Sequence, residues 1–221
     1  MKSPLICPNR SLLPRAKGAR QAFLSRALTR LYPNAECALE YVGDPFRLLV
    51  MARLSAQCTD RRVNEISPAL FSRFPDAAAF AAAEQAELER YIFSTGMYRE
   101  KARQLIAMAR KLLSDFGGEV PSTQKELLSL PGVGTKIANL MLGDVFGQPA
   151  IVADTHMIRL SRRWGFCDSA DQHKVEAALE KVTPVADRAD FCHRAVLFGR
   201  EYCRAQNPAC DTCPLFLSEE V

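Results

Sequence analysis

Three observations predict an all-α chain. Apolar residues recur at three- and four-residue steps in segment after segment, which is the period of a helix face. No stretch alternates apolar and polar residues as a half-buried strand does. Proline and glycine stand at the joins, at Pro33, Gly43-Asp44-Pro45, Phe74-Pro75, Gly117-Gly118, Gly147-Gln148-Pro149 and Thr183-Pro184.

In chain order, the first helix is expected over Ala22 to Leu31, where Phe23, Leu24, Ala27, Leu28 and Leu31 share a face. Residues 1 to 18 before it read as a solvated, partly disordered arm, and Lys2, Arg10, Arg15, Lys17, Arg20, Arg26 and Arg30 all precede the first acid, Glu36. Such an arm suits weak phosphate contact, and an Arg-rich, acid-poor start also fits an organellar transit peptide. The same periodicity predicts helices over Phe46 to Leu54, Val63 to Phe71, Leu88 to Phe93, Ala102 to Leu113, Glu126 to Leu130, Ile137 to Phe146, Met157 to Trp164, Lys174 to Val182 and Phe191 to Tyr202. Trp164, the sole tryptophan, has Leu160 one turn back and is expected in the core.

At 221 residues and 48% hydrophobic content, the chain is long enough for one large or two small domains with a sizeable core. No apolar run approaches the roughly 18 residues that span a bilayer, and no signal-peptide pattern is present. A cytoplasmic, nucleoid-associated protein is the expectation, with organellar or nuclear placement left open. The formal charge of +4 is mild for a nucleic-acid partner.

The stretch Leu130-Pro131-Gly132-Val133-Gly134-Thr135-Lys136-Ile137-Ala138 carries the most chemistry. Two glycines let the chain turn sharply and leave bare N–H groups at the start of the next helix, where a phosphate can sit. With an apolar-spaced helix before the turn, the unit has the shape of a helix-hairpin-helix clamp. Lys136 falls in the first helical turn, where the dipole disfavours a cation. A neutral lysine there can attack C1′ of a nucleotide, displace the base and hold the sugar as a Schiff base. Eighteen positions on, Asp154 in Ala153-Asp154-Thr155-His156 stands at a helix N-cap position, from which it can take a proton or steady positive charge. Taken singly, each has an ordinary reading, a turn and a cap.

Together with Leu54-Ser55-Ala56-Gln57-Cys58-Thr59-Asp60 and Thr95-Gly96-Met97-Tyr98-Arg99-Glu100-Lys101-Ala102, in this order, these segments resemble endonuclease III, a family of the helix-hairpin-helix glycosylase superfamily, from about Gln21 to Cys213. The resemblance implies a two-lobed, all-α helix-hairpin-helix glycosylase fold, with a six-helix domain over 38–148 and a terminal iron–sulfur-type helical domain made of 1–37 and 149–221. It implies removal of oxidised pyrimidines from double-stranded DNA and cleavage of abasic sites by β-elimination. Lys136 would be the nucleophile and Asp154 its partner. Gln57 would fill the gap left by an extruded base, Met97 would wedge the opposite strand, Ser55 and His156 would line the lesion pocket, and Gly132 and Gly134 would hold phosphate. Lys101, Arg159, Arg162, Arg163, Arg200 and Arg204 are further candidate phosphate contacts. A monomer without membrane association is expected. The rival readings are a catalytically silent helix-hairpin-helix DNA-binding module and a monofunctional mismatch or alkyl-base glycosylase.

The eight cysteines are too sparse for a secreted disulfide scaffold, yet three of them close up as Cys203-x6-Cys210-x2-Cys213 before a proline, a pattern that suits iron–sulfur ligation. The resemblance implies a [4Fe–4S] cluster on four cysteines, and here the fourth position is Glu219. Four arrangements answer to three thiolates: Glu219 gives a carboxylate oxygen, Cys7 reaches in from the N-terminal segment, the cluster has three irons, or it is absent. Cys192 is a poor substitute, because eleven helical residues separate it from Cys203, roughly 16 Å along one helix.

Overall fold

A computed structural model describes residues 7–217 of the protein. Among these residues there is no strand. The helices are α1 (Lys17–Leu31), α2 (Pro45–Leu54), α3 (Asp60–Arg73), α4 (Ala77–Ala81), α5 (Gln85–Ile92), α6 (Tyr98–Phe116), α7 (Gln124–Ser129), α8 (Thr135–Asp144), α9 (Thr155–Trp164), α10 (Gln172–Glu180), α11 (Arg188–Glu201) and α12 (Pro214–Leu217). They form two compact units: one is Cys37–Gly147, and the other joins the described residues up to Glu36 to those from Gln148 onward.

The unit Cys37–Gly147 is built around α2. That helix starts where Asp44 Oδ1 accepts from the Phe46 and Arg47 amides at 2.9 and 3.2 Å, with Pro45 filling the first position, which needs no donor. Leu48, Leu49, Val50, Met51 and Leu54 are buried on every side of it, the mark of a helix inside a core rather than on one. The short α4 packs on α6 and delivers Phe80 into a ring cluster with Phe46 and Phe74, both at 5.4 Å between centroids. No apolar periodicity announces α4, because its alanines offer little contrast; its cap, Asp76 accepting from the Ala79 amide at 2.8 Å, is the local signal. Helix α6 ends at Gly117 in the left-handed region, with the Gly118 amide bonded back to the Leu112 carbonyl.

In the other unit Trp164 is 1% exposed and lies against Phe191 and Phe198. Residues 7–18 are not a solvated arm. Pro8–Leu12 form a 3-10 turn, Leu13 is buried in the core cluster, and the Arg10 guanidinium lies against Gly165. The buried Arg20 donates to the carbonyls of Pro14, Arg15, Trp164 and Gly165, all at 2.9–3.0 Å, and Lys17 Nζ reaches the Phe166 carbonyl at 2.7 Å. Arg20, and the still exposed Lys17, thus find carbonyl oxygens at and just past the C-terminal end of α9, where a helix dipole favours cations. Residues 1–6, Lys2 among them, lie outside the described residues.

Candidate functional site

The hairpin between α7 and α8 turns where the Val133 amide bonds the Leu130 carbonyl at 3.1 Å. Its two glycines serve different ends. Gly132 has φ +79°, and a Cβ there would meet Gln104 Oε1 at 2.6 Å and Arg53 Nε at 2.8 Å. Those two side chains are bonded to each other at 2.6 Å directly beneath the turn. Gly134 caps α8 in extended backbone, and a Cβ there would enter open space. The first glycine is therefore required by the protein, while the second leaves an approach open in front of the α8 amides. Gly132→Ala is expected to cost about 2–4 kcal/mol of stability, from left-handed strain plus overpacking. Gly134→Ala should change stability by less than about 1 kcal/mol while weakening every duplex alike. Thermal unfolding and titration against plain and abasic duplexes measure the two effects, and a large stability loss in Gly134→Ala would contradict the division.

Lys136 is exposed in the first turn of α8, the second residue after its cap. Asp154, in the other unit, caps α9, with Oδ1 accepting from the Met157 amide at 2.8 Å. Two residues on, His156 Nδ1 sits 3.0 Å from Arg159 Nη2, and the ring packs so closely on Gly199 that a Cβ there would come within 2.9 Å.

Gln57 and Met97 are both exposed and both in the left-handed region, with φ of 54° and 46°. A non-glycine residue held there costs of order 1 kcal/mol and persists only where neighbours fix it. One neighbour is Lys101, whose side chain is wholly buried. Its Nζ donates to the carbonyls of Leu54 and Thr95, each at 2.7 Å, and so ties the end of α2 ahead of Gln57 to the turn ahead of Met97. Burial pulls the ammonium down to about 8 from 10.5, with Cys58 raising and Arg53 lowering it. Ser55 ends α2, and its hydroxyl donates to the Ala52 carbonyl at 2.9 Å.

Lys101 is thus an internal clamp, not a phosphate contact. The same correction holds for two arginines of α9. Arg163 is 3% exposed and donates to the carbonyls of Cys203 and Arg204 and to Cys203 Sγ. Arg159 donates to the carbonyls of Gly199 and Cys203 at 2.9 and 3.1 Å. Arg200 and Arg204 are exposed, and Arg162 is half-buried. A signal for Lys101 was present: Leu105, Met108 and Leu112 form the buried stripe of α6, and its next step back is residue 101.

Cys203, Cys210 and Cys213 line one pocket, open to solvent, with Trp164, Phe198 and Leu215 in its wall. Arg163 fixes the loop from below. Burial raises the Cys210 thiol, and the Cys213 thiol to about 11; a bound metal reverses that sense by stabilising thiolate. Among the described residues no three His, Cys, Asp or Glu groups converge on a point that fits a single ion. Tetrahedral zinc draws its sulfurs to about 3.8 Å of one another, whereas an iron–sulfur core engages each thiolate with a different iron and spreads them around a space. Thiols ringing a pocket fit a [4Fe–4S] cluster. Glu219 lies outside the described residues, and Cys192 is elsewhere, its sulfur accepting from the Val152 amide at 3.4 Å.

A glycine hairpin before α8 in one helical unit and a cysteine loop in the other are the two features that known proteins share with this chain. The family model "HhH-GPD superfamily base excision DNA repair protein" matches residues 50–185, and "Iron-sulfur binding domain of endonuclease III" matches 203–216. Endonuclease III of Synechocystis sp. is 43% identical over 201 residues, covering 90% of this chain and 91% of the relative, and that of Bacillus subtilis is 42% identical over 186 residues, covering 84% of each. A solved non-covalent endonuclease III–DNA complex superposes with a TM-score of 0.86 at 40% identity, covering 91% of this chain and 94% of the other. The chain belongs to the endonuclease III family: it is a DNA glycosylase and abasic-site lyase with an iron–sulfur cluster.

Proposed function

We propose that the substrates are damaged, chiefly oxidised, pyrimidines and abasic sites in double-stranded DNA, and that Lys136 is the amine that forms the Schiff base. The observation that carries this reading is the position of Lys136, an exposed amine in the first turn of α8, directly after a hairpin whose amides can hold the backbone beside the lesion. Neutral Lys136 Nζ adds to C1′, and the base departs with a proton. Opening of the C1′–O4′ bond then gives the imine. Loss of a C2′ proton breaks the C3′–O3′ bond and cuts the strand 3′ to the lesion, after which water hydrolyses the imine and returns the lysine. Asp154 accepts the amine proton or balances charge on the opening sugar. Gln57 fills the vacated stack and Met97 wedges the opposite strand, both projecting from backbone that is already fixed. Ser55 and His156 contact the extruded base, and Gly132 and Gly134 lie in the phosphate clamp. A [4Fe–4S] cluster held by Cys203, Cys210 and Cys213 would supply structural order to the loop that carries them.

Among the described residues no helix is long and apolar enough to cross a membrane. A monomer working on the nucleoid in the cytoplasm belongs to the same proposal.

Borohydride trapping tests the reading. Protein incubated with a duplex carrying thymine glycol or an abasic site, then reduced, is expected to give a covalent protein–DNA adduct that migrates as a single shifted band. Folded protein that binds the abasic duplex but leaves no adduct would exclude the amine mechanism.

A further inference from the structure

The three clustered cysteines are one short of a full thiolate set. The pocket they line has a further cysteine in its wall: Cys7, 196 positions before Cys203 in the chain. We infer that Cys7 is the fourth ligand of the [4Fe–4S] cluster, in place of the residue at position 219.

Cys7 is held at the pocket by its own backbone and by the residues that follow it. Its own amide donates to the Arg163 carbonyl at 3.3 Å, so it is fixed to the residue whose guanidinium grips the Cys203 carbonyl and sulfur. Two residues later, Asn9 Nδ2 donates to the Cys210 carbonyl at 3.3 Å. The 3-10 turn Pro8–Leu12 follows immediately, closed by the Arg10 amide on the Cys7 carbonyl at 3.0 Å, and Leu13 anchors its far end in the core. The segment is thus placed by contacts that need no metal, and it presents a thiol where the set is incomplete.

Chemistry favours the same choice. Iron in a sulfide core prefers soft thiolate over carboxylate. A carboxylate oxygen brought among Trp164, Phe198 and Leu215 also loses its hydration, which opposes ligation unless new partners replace it. In the ligation step a preformed [4Fe–4S] core exchanges one labile ligand for Cys7. The thiol proton leaves, one Sγ–Fe bond forms, the bond to the departing ligand breaks, and no electron is transferred. The cluster then staples the N-terminal segment to the cysteine loop, so cluster retention and order at residues 7–13 become linked.

The test rests on the cluster reading and uses full-length protein prepared without oxygen, scored by iron and acid-labile sulfide per chain and by electron paramagnetic resonance. Wild type and Glu219→Gln are expected to carry four irons. Cys7→Ser is expected to fall to three, with the signal of an oxidised three-iron core, or to lose the cluster. Cys7→Ser combined with Glu219→Cys should return to four. Cys7→Ser with four irons and an unchanged spectrum, or Glu219→Gln depleted of iron, would overturn the assignment while leaving the cluster in place. Iron-free wild type would overturn both. Alkylation of unmutated holoprotein, mapped by mass spectrometry, avoids any folding defect: Cys7 should be protected together with Cys203, Cys210 and Cys213 and become reactive with them when iron is chelated, while Cys58 reacts throughout. Cys7 modified with the cluster intact would refute the proposal.

Discussion

Lys136→Gln protein is expected to bind abasic duplex nearly as well as wild type, yet to give no trapped adduct and no strand cutting. Glutamine keeps a polar chain of similar length on the exposed first turn of α8 but has no amine to form an imine. Because the residue is exposed, the substitution leaves the core untouched, and unfolding should move by no more than about 0.5 kcal/mol. An adduct that persists in Lys136→Gln would assign the chemistry to another amine. The matching test at Asp154 depends on its second role, as the cap of α9 through the Met157 amide. Asparagine caps a helix as well as aspartate does. Asp154→Asn therefore preserves the cap while removing the base, and base release should slow by about 10²–10⁴ at unchanged stability. Wild-type rates in that variant would reduce Asp154 to a cap alone.

The elements legible in the sequence were those with periodic contrast. Helices α2, α3, α5 to α11 and most of α1 carry apolar steps that exist only if one face is buried, and the hairpin glycines mark the turn from composition alone. What escaped has a common cause: polar groups buried by backbone partners leave no pattern. Arg20 looks like part of a basic arm because nothing in its neighbourhood reveals the carbonyls of Trp164 and Gly165, which lie more than 140 positions away. Arg163 reads as a surface charge for the same reason, whereas Lys101 continues the buried stripe of α6 and was legible by that step. The different duties of Gly132 and Gly134 were also hidden, since the demand on Gly132 comes from Arg53 and Gln104, which approach the turn from α2 and α6. Lys136 and Asp154 stand out by residue type and spacing, whereas the support beneath Gln57 and Met97 depends on a tertiary contact.

That support yields the second large effect. Lys101→Met removes both hydrogen bonds and leaves the Leu54 and Thr95 carbonyls without their amine, at about 1–3 kcal/mol for each buried group. Relief of the desolvated charge offsets part of this, so a loss of about 3 kcal/mol at neutral pH is expected. The loss should depend on pH in a definite direction. Burial holds the folded ammonium at about 8 against 10.5 when solvated, so between those values the unfolded chain binds the proton that the folded chain has released. Stability from this group therefore rises with pH across that window, from a charge penalty fully present below 8 to one relieved above 10.5. A neutral amine still has two N–H groups for two carbonyls, so the clamp survives deprotonation. The gap in unfolding free energy between wild type and Lys101→Met should accordingly widen from pH 8 to 10, as denaturant titrations at each pH would measure. A constant gap would mean that the amine is not desolvated. The same variant frees the backbone ahead of Gln57 and Met97, so affinity for abasic duplex should fall about tenfold, the equivalent of 1.4 kcal/mol, while Lys136 still forms a trappable adduct on whatever is bound. Full affinity together with the stability loss would confine Lys101 to holding the fold.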